Sequence, residues 1–153
     1  MKKKDKKLKK NKKIEEKNRV AELTNDWGSS LVKESNKKWN SYSDTQQEDI
    51  LEECEKIFLE IANFQQEGVE SEEIKALLVR WHKFIQYFYE PSLEVLRGLG
   101  YLYADDERFR VKFEEIDPNL PDFLKSAIDY YVDELEDIWL QEQYETLENK
   151  NEL

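Results

Sequence analysis

Cysteine, proline and glycine are scarce in this sequence, which has one Cys, three Pro and four Gly among 153 residues. The single cysteine, Cys54, excludes an internal disulfide and favours a reducing compartment. Because turn-forming residues are few, the sequence favours long helices over an all-β fold with many turns. No apolar run approaches the roughly 20 residues that cross a bilayer, and the basic N-terminus is not followed by the apolar segment of a secretory signal. We therefore expect a cytoplasmic protein.

Residue patterns that carry catalysis or hold a metal are also missing. His82 is the only histidine, and it has no cysteine at metal-ligand spacing, which argues against a metal or haem site. No glycine pattern cradles phosphates, and no nucleophile elbow is present. We interpret His82 as a partly exposed helix residue beside Trp81, and Cys54, on an apolar helical stripe, as buried and inert. The sequence predicts a protein that is not an enzyme and has no cofactor.

The net charge of −11 is divided unevenly along the chain. Residues 1–13 hold nine Lys and one Asp, a charge of +8, which leaves −19 for the remainder. Such a lysine run is typical of a disordered, solvated tail; the alternative is a non-specific tether to nucleic acid or an anionic membrane. The acidic remainder repels phosphate backbones, so we expect no specific nucleic-acid binding. We expect one domain over residues 14–140 and a fraying, acidic tail over residues 141–153.

Helix-capping residues divide the chain into five to seven predicted helices, the first over Ile14 to Trp27. Ser43 to Gln46 reads SDTQ, a capping box with a hydroxyl at the start and Gln three residues later. Nothing reads as a strand, so the sequence predicts an all-α fold. The other residues expected to cap, begin or end helices are Gly28, Ser29 or Ser30, Gly68, Ser71, Pro91, Ser92, Asp105 and Pro121.

Aromatic residues are abundant for a small acidic domain, with four Trp, eight Tyr and seven Phe. Many of them must form the core. Trp27 and Trp39, however, lie in short N-terminal segments that cannot hold a core alone. Such segments can close as a lid over an apolar cleft, with aromatic side chains as anchors.

Three blocks of sequence, in this order, resemble the TipAS antibiotic-recognition domain: NDWGSS, FYEPSLEVLRGLGYLYADDERF and DPNLPDFLKSAIDYY. That domain is the C-terminal effector module of some MerR-type transcription activators, and the resemblance covers about Ile14 to Tyr131. It implies a globin-like helical fold without haem and a cleft for peptide-like antibiotics such as thiopeptides or albicidin. It also implies mobile N-terminal helices that close over the ligand.

Under this resemblance, the helix from Ser92 to Tyr103 lines the cleft. Gly98 then lies where the backbone of the ligand approaches closely, while Gly100 either faces the ligand as well or allows two helices to pack closely. The residues expected to bind the ligand are Trp27, Trp39, Trp81, Phe88, Pro91, Glu94, Val95, Gly98, Tyr101 and Leu102.

The sequence departs from the family pattern in two ways. The best-known members capture antibiotics that contain dehydroamino acids through a cysteine, and Gly98 stands at that position here. We therefore expect reversible binding. The activators also carry a winged helix-turn-helix domain and a coiled coil ahead of this module, whereas a lysine-rich segment precedes it here. We expect a free-standing domain that does not bind DNA.

The function that follows is non-catalytic binding of a bulky hydrophobic antibiotic, for drug sequestration or drug sensing. Two alternatives stay open. The same cleft could bind an amphipathic helix of a partner protein, or the domain could pair with a full-length MerR-type activator and modulate it.

Overall fold

The computed structural model describes residues 29–151, and the residues described there form six α-helices and one short 3-10 turn with no strand. The all-α prediction is confirmed; the globin-like arrangement stays a prediction. The predicted first helix, Trp27 and the lysine-rich segment lie outside the described residues. The helices are α1 (Ser29–Ser41), α2 (Asp44–Phe64), α3 (Glu72–Gln86), α4 (Leu93–Asp105), α5 (Glu107–Ile116) and α6 (Leu120–Asn151), with the 3-10 turn Gln65–Glu67 after α2.

Serine caps start three of these helices, as the sequence predicts. The Ser43 hydroxyl accepts a hydrogen bond from the Gln46 amide at 3.1 Å, and the Gln46 side chain accepts one from the Ser43 amide at 2.9 Å. This reciprocal pair satisfies two amide groups that the first turn of a helix leaves without partners. Ser71 and Ser92 cap α3 and α4 through their hydroxyls.

Several predicted boundaries are wrong by a residue or more. Asp106, not Asp105, caps α5: it takes an extended backbone and accepts a hydrogen bond from the Arg108 amide at 3.0 Å. Asp105 instead ends α4, because the helix continues one residue further than the capping pattern indicates. Pro121 is the second residue of α6, not its first. Fraying after residue 140 is also wrong, since α6 stays helical to Asn151.

The centre of the fold is the contact between α4 and α6, the most extensive between any two helices that the structure describes. Gly100 faces α6, and a Cβ atom at this position would lie 3.1 Å from the Cβ of Ile128. This separation is shorter than ordinary van der Waals contact, so close helix packing explains Gly100. The fully buried side chains around this contact include Leu96, Leu99, Leu120, Leu124, Ile128 and Val132.

The helices α2 and α3 pack against one another and complete the core. Ile57 and Ile61 of α2 are fully buried there, and Arg80 of α3 bonds two carboxylates of α2, Glu53 and Glu60, each at 2.7 Å. Cys54 is half-buried at the edge of this core, so its predicted burial is only partial. Among residues 29–151, no helix is long and apolar enough to cross a bilayer.

Candidate functional site

Five of the candidate residues form one continuous surface on α4 around Gly98. Glu94 and Val95 precede Gly98 by four and three residues, and Tyr101 and Leu102 follow it by three and four. Residues at these separations are neighbours on a helix surface. Because Gly98 has no side chain, the centre of this surface lies lower than its rim. We call these five residues the Gly98 surface.

The rim of the Gly98 surface combines apolar and polar groups. Leu102 is half-buried and supplies aliphatic carbon, and Val95 beside it is 7% exposed because it packs into the core, whereas Glu94 and Tyr101 are exposed. A surface of this composition suits a ligand with an apolar body and a few hydrogen-bonding groups. Its negative charge disfavours anionic groups next to Glu94.

Tyr101 is held in place by α6. Its hydroxyl donates a hydrogen bond to Asp129 at 3.3 Å, and the Lys125 ammonium lies 4.7 Å from the centre of its ring. One turn earlier, Arg97 donates hydrogen bonds to Asp133 and Asp129. These bonds, first that to Asp133, raise the pKa of the Arg97 guanidinium, so it stays charged wherever the protein is folded. The ion pairs fix one edge of the Gly98 surface to α6.

A second candidate cluster joins the end of α1 to the segment that leads into α4. The rings of Trp39 and Phe88 stack with centres 5.2 Å apart and planes 21° apart. The Tyr42 hydroxyl donates a hydrogen bond to the Tyr87 carbonyl at 2.8 Å. Pro91 is buried three residues after Phe88. Through these contacts α1 docks on the end of α3 and on the segment that leads into α4, and whether it moves when a ligand binds stays a prediction.

Trp81 is more deeply buried than Phe88 and Val95, the other two candidates in the core cluster. It is fully buried, and its indole nitrogen donates a hydrogen bond to the Tyr103 hydroxyl at 3.3 Å. Burial raises the pKa of Tyr103, which keeps that hydroxyl protonated. Trp81 is therefore part of the core, and a ligand would reach it only if the core opened. Trp27 lies outside the described residues.

Two polar features of the structure have no signal in the sequence. The His82 ring nitrogen Nδ1 lies 2.9 Å from the Tyr131 hydroxyl, and burial lowers the pKa of His82. On α1, Ser35 is fully buried, and its hydroxyl has no hydrogen-bond partner within the part of the chain that the structure describes. Ser35 lies four residues before Trp39, so it is on the same side of α1 as the aromatic cluster.

A cavity of about 30 Å³ lies between the start of α3 and the middle of α6, with Glu70, Lys75 and Tyr130 among its lining residues. This volume holds one or two water molecules, so the cavity does not fit a bulky ligand. It is also remote in sequence from the Gly98 surface. Within residues 29–151, no group of three or more His, Cys, Asp or Glu side chains is placed to hold a metal ion.

A protein family and a known protein are similar to the part of the chain that contains the Gly98 surface. A family model described as the TipAS antibiotic-recognition domain matches residues 20–131. The HTH-type transcriptional activator mta of Bacillus subtilis (strain 168) is 32% identical over 111 residues, and the match covers 72% of this chain and 43% of that protein. The chain thus spans less than half the length of this relative. No solved structure matches the chain.

Proposed function

The chain belongs to the TipAS antibiotic-recognition domain family, and we propose on this basis that it binds a bulky hydrophobic antibiotic without changing it chemically. Family membership supports ligand binding or regulation as its class of function, in a family of regulatory domains that are not enzymes. The observation that carries the finer proposal is the Gly98 surface, which lies inside the matched region. We assign peptide-like antibiotics of the thiopeptide or albicidin class as ligands, for drug sequestration or sensing.

The Gly98 surface offers three kinds of contact to such a ligand. The backbone of the ligand approaches α4 most closely at Gly98, where no side chain intervenes. Leu102, with the small exposed part of Val95, provides apolar contact on one side, while Glu94 and the Tyr101 hydroxyl provide polar groups on the other. Trp39, half-buried on the neighbouring helix, adds aromatic area near the start of α4.

Binding in this proposal is reversible because no thiol lies on the Gly98 surface. The single cysteine, Cys54, is on α2 and is close to Tyr103, which α4 turns into the core. A thiolate attacks a dehydroalanine only when it is exposed and held beside it. A thiopeptide should therefore leave no mass adduct on the denatured protein.

Titration of tryptophan fluorescence with a thiopeptide, albicidin and unrelated hydrophobic drugs tests the proposal. We expect saturable binding of at least one antibiotic of the two classes. Gly98→Leu should weaken it about tenfold or more, because the added side chain fills the centre of the surface. Ala76→Leu on the exposed side of α3 is the matched control and should bind normally. No binding of either class, or equal binding by both variants, would contradict the proposal.

Gly98→Cys gives a second, independent test. If the ligand lies over residue 98, the new thiol should form an adduct with a thiopeptide that contains dehydroalanine, and mass spectrometry after denaturation should detect it. The unmodified protein should show none. Measurable binding by Gly98→Cys without an adduct would mean that this face of α4 does not contact the ligand, and an adduct at Cys54 would refute reversible binding.

The likeness to an HTH-type transcriptional activator supports a second candidate function. In this alternative the domain regulates transcription, through a MerR-type activator, or binds an amphipathic helix of a partner protein at the same surface. One protein that co-purifies stoichiometrically and is released by Gly98→Leu would favour the alternative over antibiotic binding.

A further inference from the structure

The C-terminal part of α6 has an apolar stripe that nothing else within residues 29–151 covers. Residues 137–150 are all exposed. Leu140, Tyr144 and Leu147 are 56%, 67% and 60% exposed, and their spacing of four and then three residues places them on one side of the helix. This spacing is that of successive core positions in a coiled coil. We call these three residues the C-terminal seam.

The C-terminal seam faces away from the core to which α6 belongs. Val132 is fully buried, and Leu135 packs against the core. Ile138 and Trp139 follow Leu135 by three and four residues, so they continue the same side of the helix. Leu140 follows it by five, which rotates it by roughly 140° around the helix axis. The seam is therefore a separate surface and not an extension of the core.

Exposure of the C-terminal seam to water is unfavourable in free energy. The helix continues about 24 Å beyond Leu135, its last residue packed on the core, at 1.5 Å per residue. Isolated helices shorter than about 12–15 residues are only marginally stable in water. Three large apolar side chains on such a helix remain in contact with water. A second helix against the seam would bury them and stabilise the extension.

We propose that this second helix is the same stretch of a second copy of the chain, paired in the antiparallel direction. In the register that centres the pair between residues 143 and 144, Leu140 meets Leu147 of the second copy, and the two Tyr144 rings lie side by side. Asp137 then lies opposite Lys150 of the second copy. This contact is self-complementary, as a twofold symmetric interface requires.

The charges at the two ends of the seam select the antiparallel direction. Lys150 is the only basic residue between positions 137 and 151. A parallel pair would place Asp137 against Asp137 and Lys150 against Lys150, whereas the antiparallel pair forms two attractive contacts. It also places the two folded bodies at opposite ends of the helix pair.

The size and the charge of this contact predict that the dimer is weak and that added salt strengthens it. Two heptads bury much less than the roughly 1,200–2,000 Å² of a stable interface. Residues 29–151 contain 13 basic and 29 acidic side chains, a net charge of −16, so two copies repel one another. Added salt screens this repulsion and should strengthen the dimer. A basic helix from another protein would bind less tightly in added salt.

Sedimentation equilibrium of the full chain, from about 10 µM to about 1 mM, tests the proposal. We expect a monomer–dimer equilibrium that 0.5 M salt strengthens. Replacing Leu140, Tyr144 and Leu147 together with Ser should weaken dimerisation about tenfold or more. Leu59→Ser and Val111→Ser, at positions that are each 50% exposed on other helices, are matched controls and should dimerise normally. Thermal unfolding should show that all variants fold.

Charge exchange tests the direction of pairing. Lys150→Glu should weaken dimerisation roughly threefold, the size of an exposed ion pair, and adding Asp137→Lys should restore it. Failure of the double variant to restore association would overturn the antiparallel register. A wild-type chain that stays monomeric over the whole concentration range, or a dimer that survives the triple Ser substitution, would overturn the proposal itself.

Discussion

The two halves of α6 are parts of one continuous helix but have opposite environments. In the first half, Leu120, Leu124, Ile128 and Val132 are each 0% exposed. In the second half, every described side chain from residue 137 to residue 150 is exposed. Packing of an apolar face, more than helix propensity, stabilises most helices in proteins. The first half therefore contributes to the stability of the monomer, whereas the apolar residues of the second half remain available for association.

The largest expected change in stability comes from a substitution in the first half of α6, and the same kind of substitution in the second half should have almost no effect. Ile128→Ala removes a fully buried side chain, and we expect it to lower the free energy of unfolding by about 2–5 kcal/mol. Leu147→Ala, in the exposed half, should change it by less than about 0.5 kcal/mol. Urea denaturation at low micromolar concentration, where a weak dimer would dissociate, measures both. Losses of similar size would show that the second half also packs in the monomer.

The next effect concerns the α4 residue that faces the first half of α6. Gly100→Ala places a Cβ atom 3.1 Å from that of Ile128, whose β-branched side chain has little freedom to move. Overpacking costs about 1–3 kcal/mol, and the better helix propensity of Ala returns about 1 kcal/mol. We expect a net loss of about 1 kcal/mol in urea denaturation. Gly98→Ala, on another side of α4, is the control and should be neutral or stabilising.

On α1, replacing a buried side chain should raise the free energy of unfolding, whereas Ile128→Ala in α6 and Gly100→Ala in α4 lower it. The Ser35 hydroxyl is buried without a partner among the described residues, and such a group costs roughly 1–3 kcal/mol. Ser35→Ala should therefore raise the unfolding free energy by about 1 kcal/mol, with a matching rise in Tm. Lys33→Ala, exposed on the same helix, controls for the change in helix propensity. A loss of stability on Ser35→Ala alone would show that the hydroxyl has a partner.

The smallest expected effect depends on pH at the contact between α3 and the first half of α6. Burial lowers the pKa of His82, and Glu90 opposes this only in part. The folded state therefore prefers the neutral imidazole. The contribution of His82 to the stability of the protein is complete above about pH 6.5, the ordinary pKa of a histidine. This contribution is lost as the pH falls from that value through the lowered pKa of the folded state. His82→Gln should reduce the loss of stability between pH 7 and pH 5 in urea denaturation. If His82→Gln loses as much stability as the wild type between pH 7 and pH 5, other titratable groups cause the loss.

The sequence predicts the local parts of this fold well and the distant contacts poorly. Ser43 and Gln46 are three residues apart, so their capping box depends only on local geometry. The choice between Asp105 and Asp106 as a cap is harder, because both are acids and packing of α4 decides where it ends. The second half of α6 was expected to fray because its polar composition resembles a tail.

The Gly98 surface follows from helix periodicity and from the family resemblance, and its role in binding stays a prediction. The partners of its neighbours do not follow from the sequence. Arg97 meets Asp129 across 32 positions of sequence, and His82 meets Tyr131 across 49. Such pairs depend on how the helices pack, which no local pattern specifies. The burial of Trp81, by contrast, has a local signal, because it follows Ile74, Leu77 and Leu78 at helical spacing on the apolar side of α3.

The contact of Gly100 with Ile128 also constrains how this domain can diverge. The space that the missing Cβ leaves is filled by the side chain from α6, so the two positions share one volume. A relative with Ala or Ser at position 100 should have a residue without the γ-branch of Ile, such as Ala or Gly, at position 128, because the Cγ2 of Ile128 is among the atoms nearest to the added Cβ. Substitutions at these two positions should therefore appear in pairs, 28 residues apart, among members of the family.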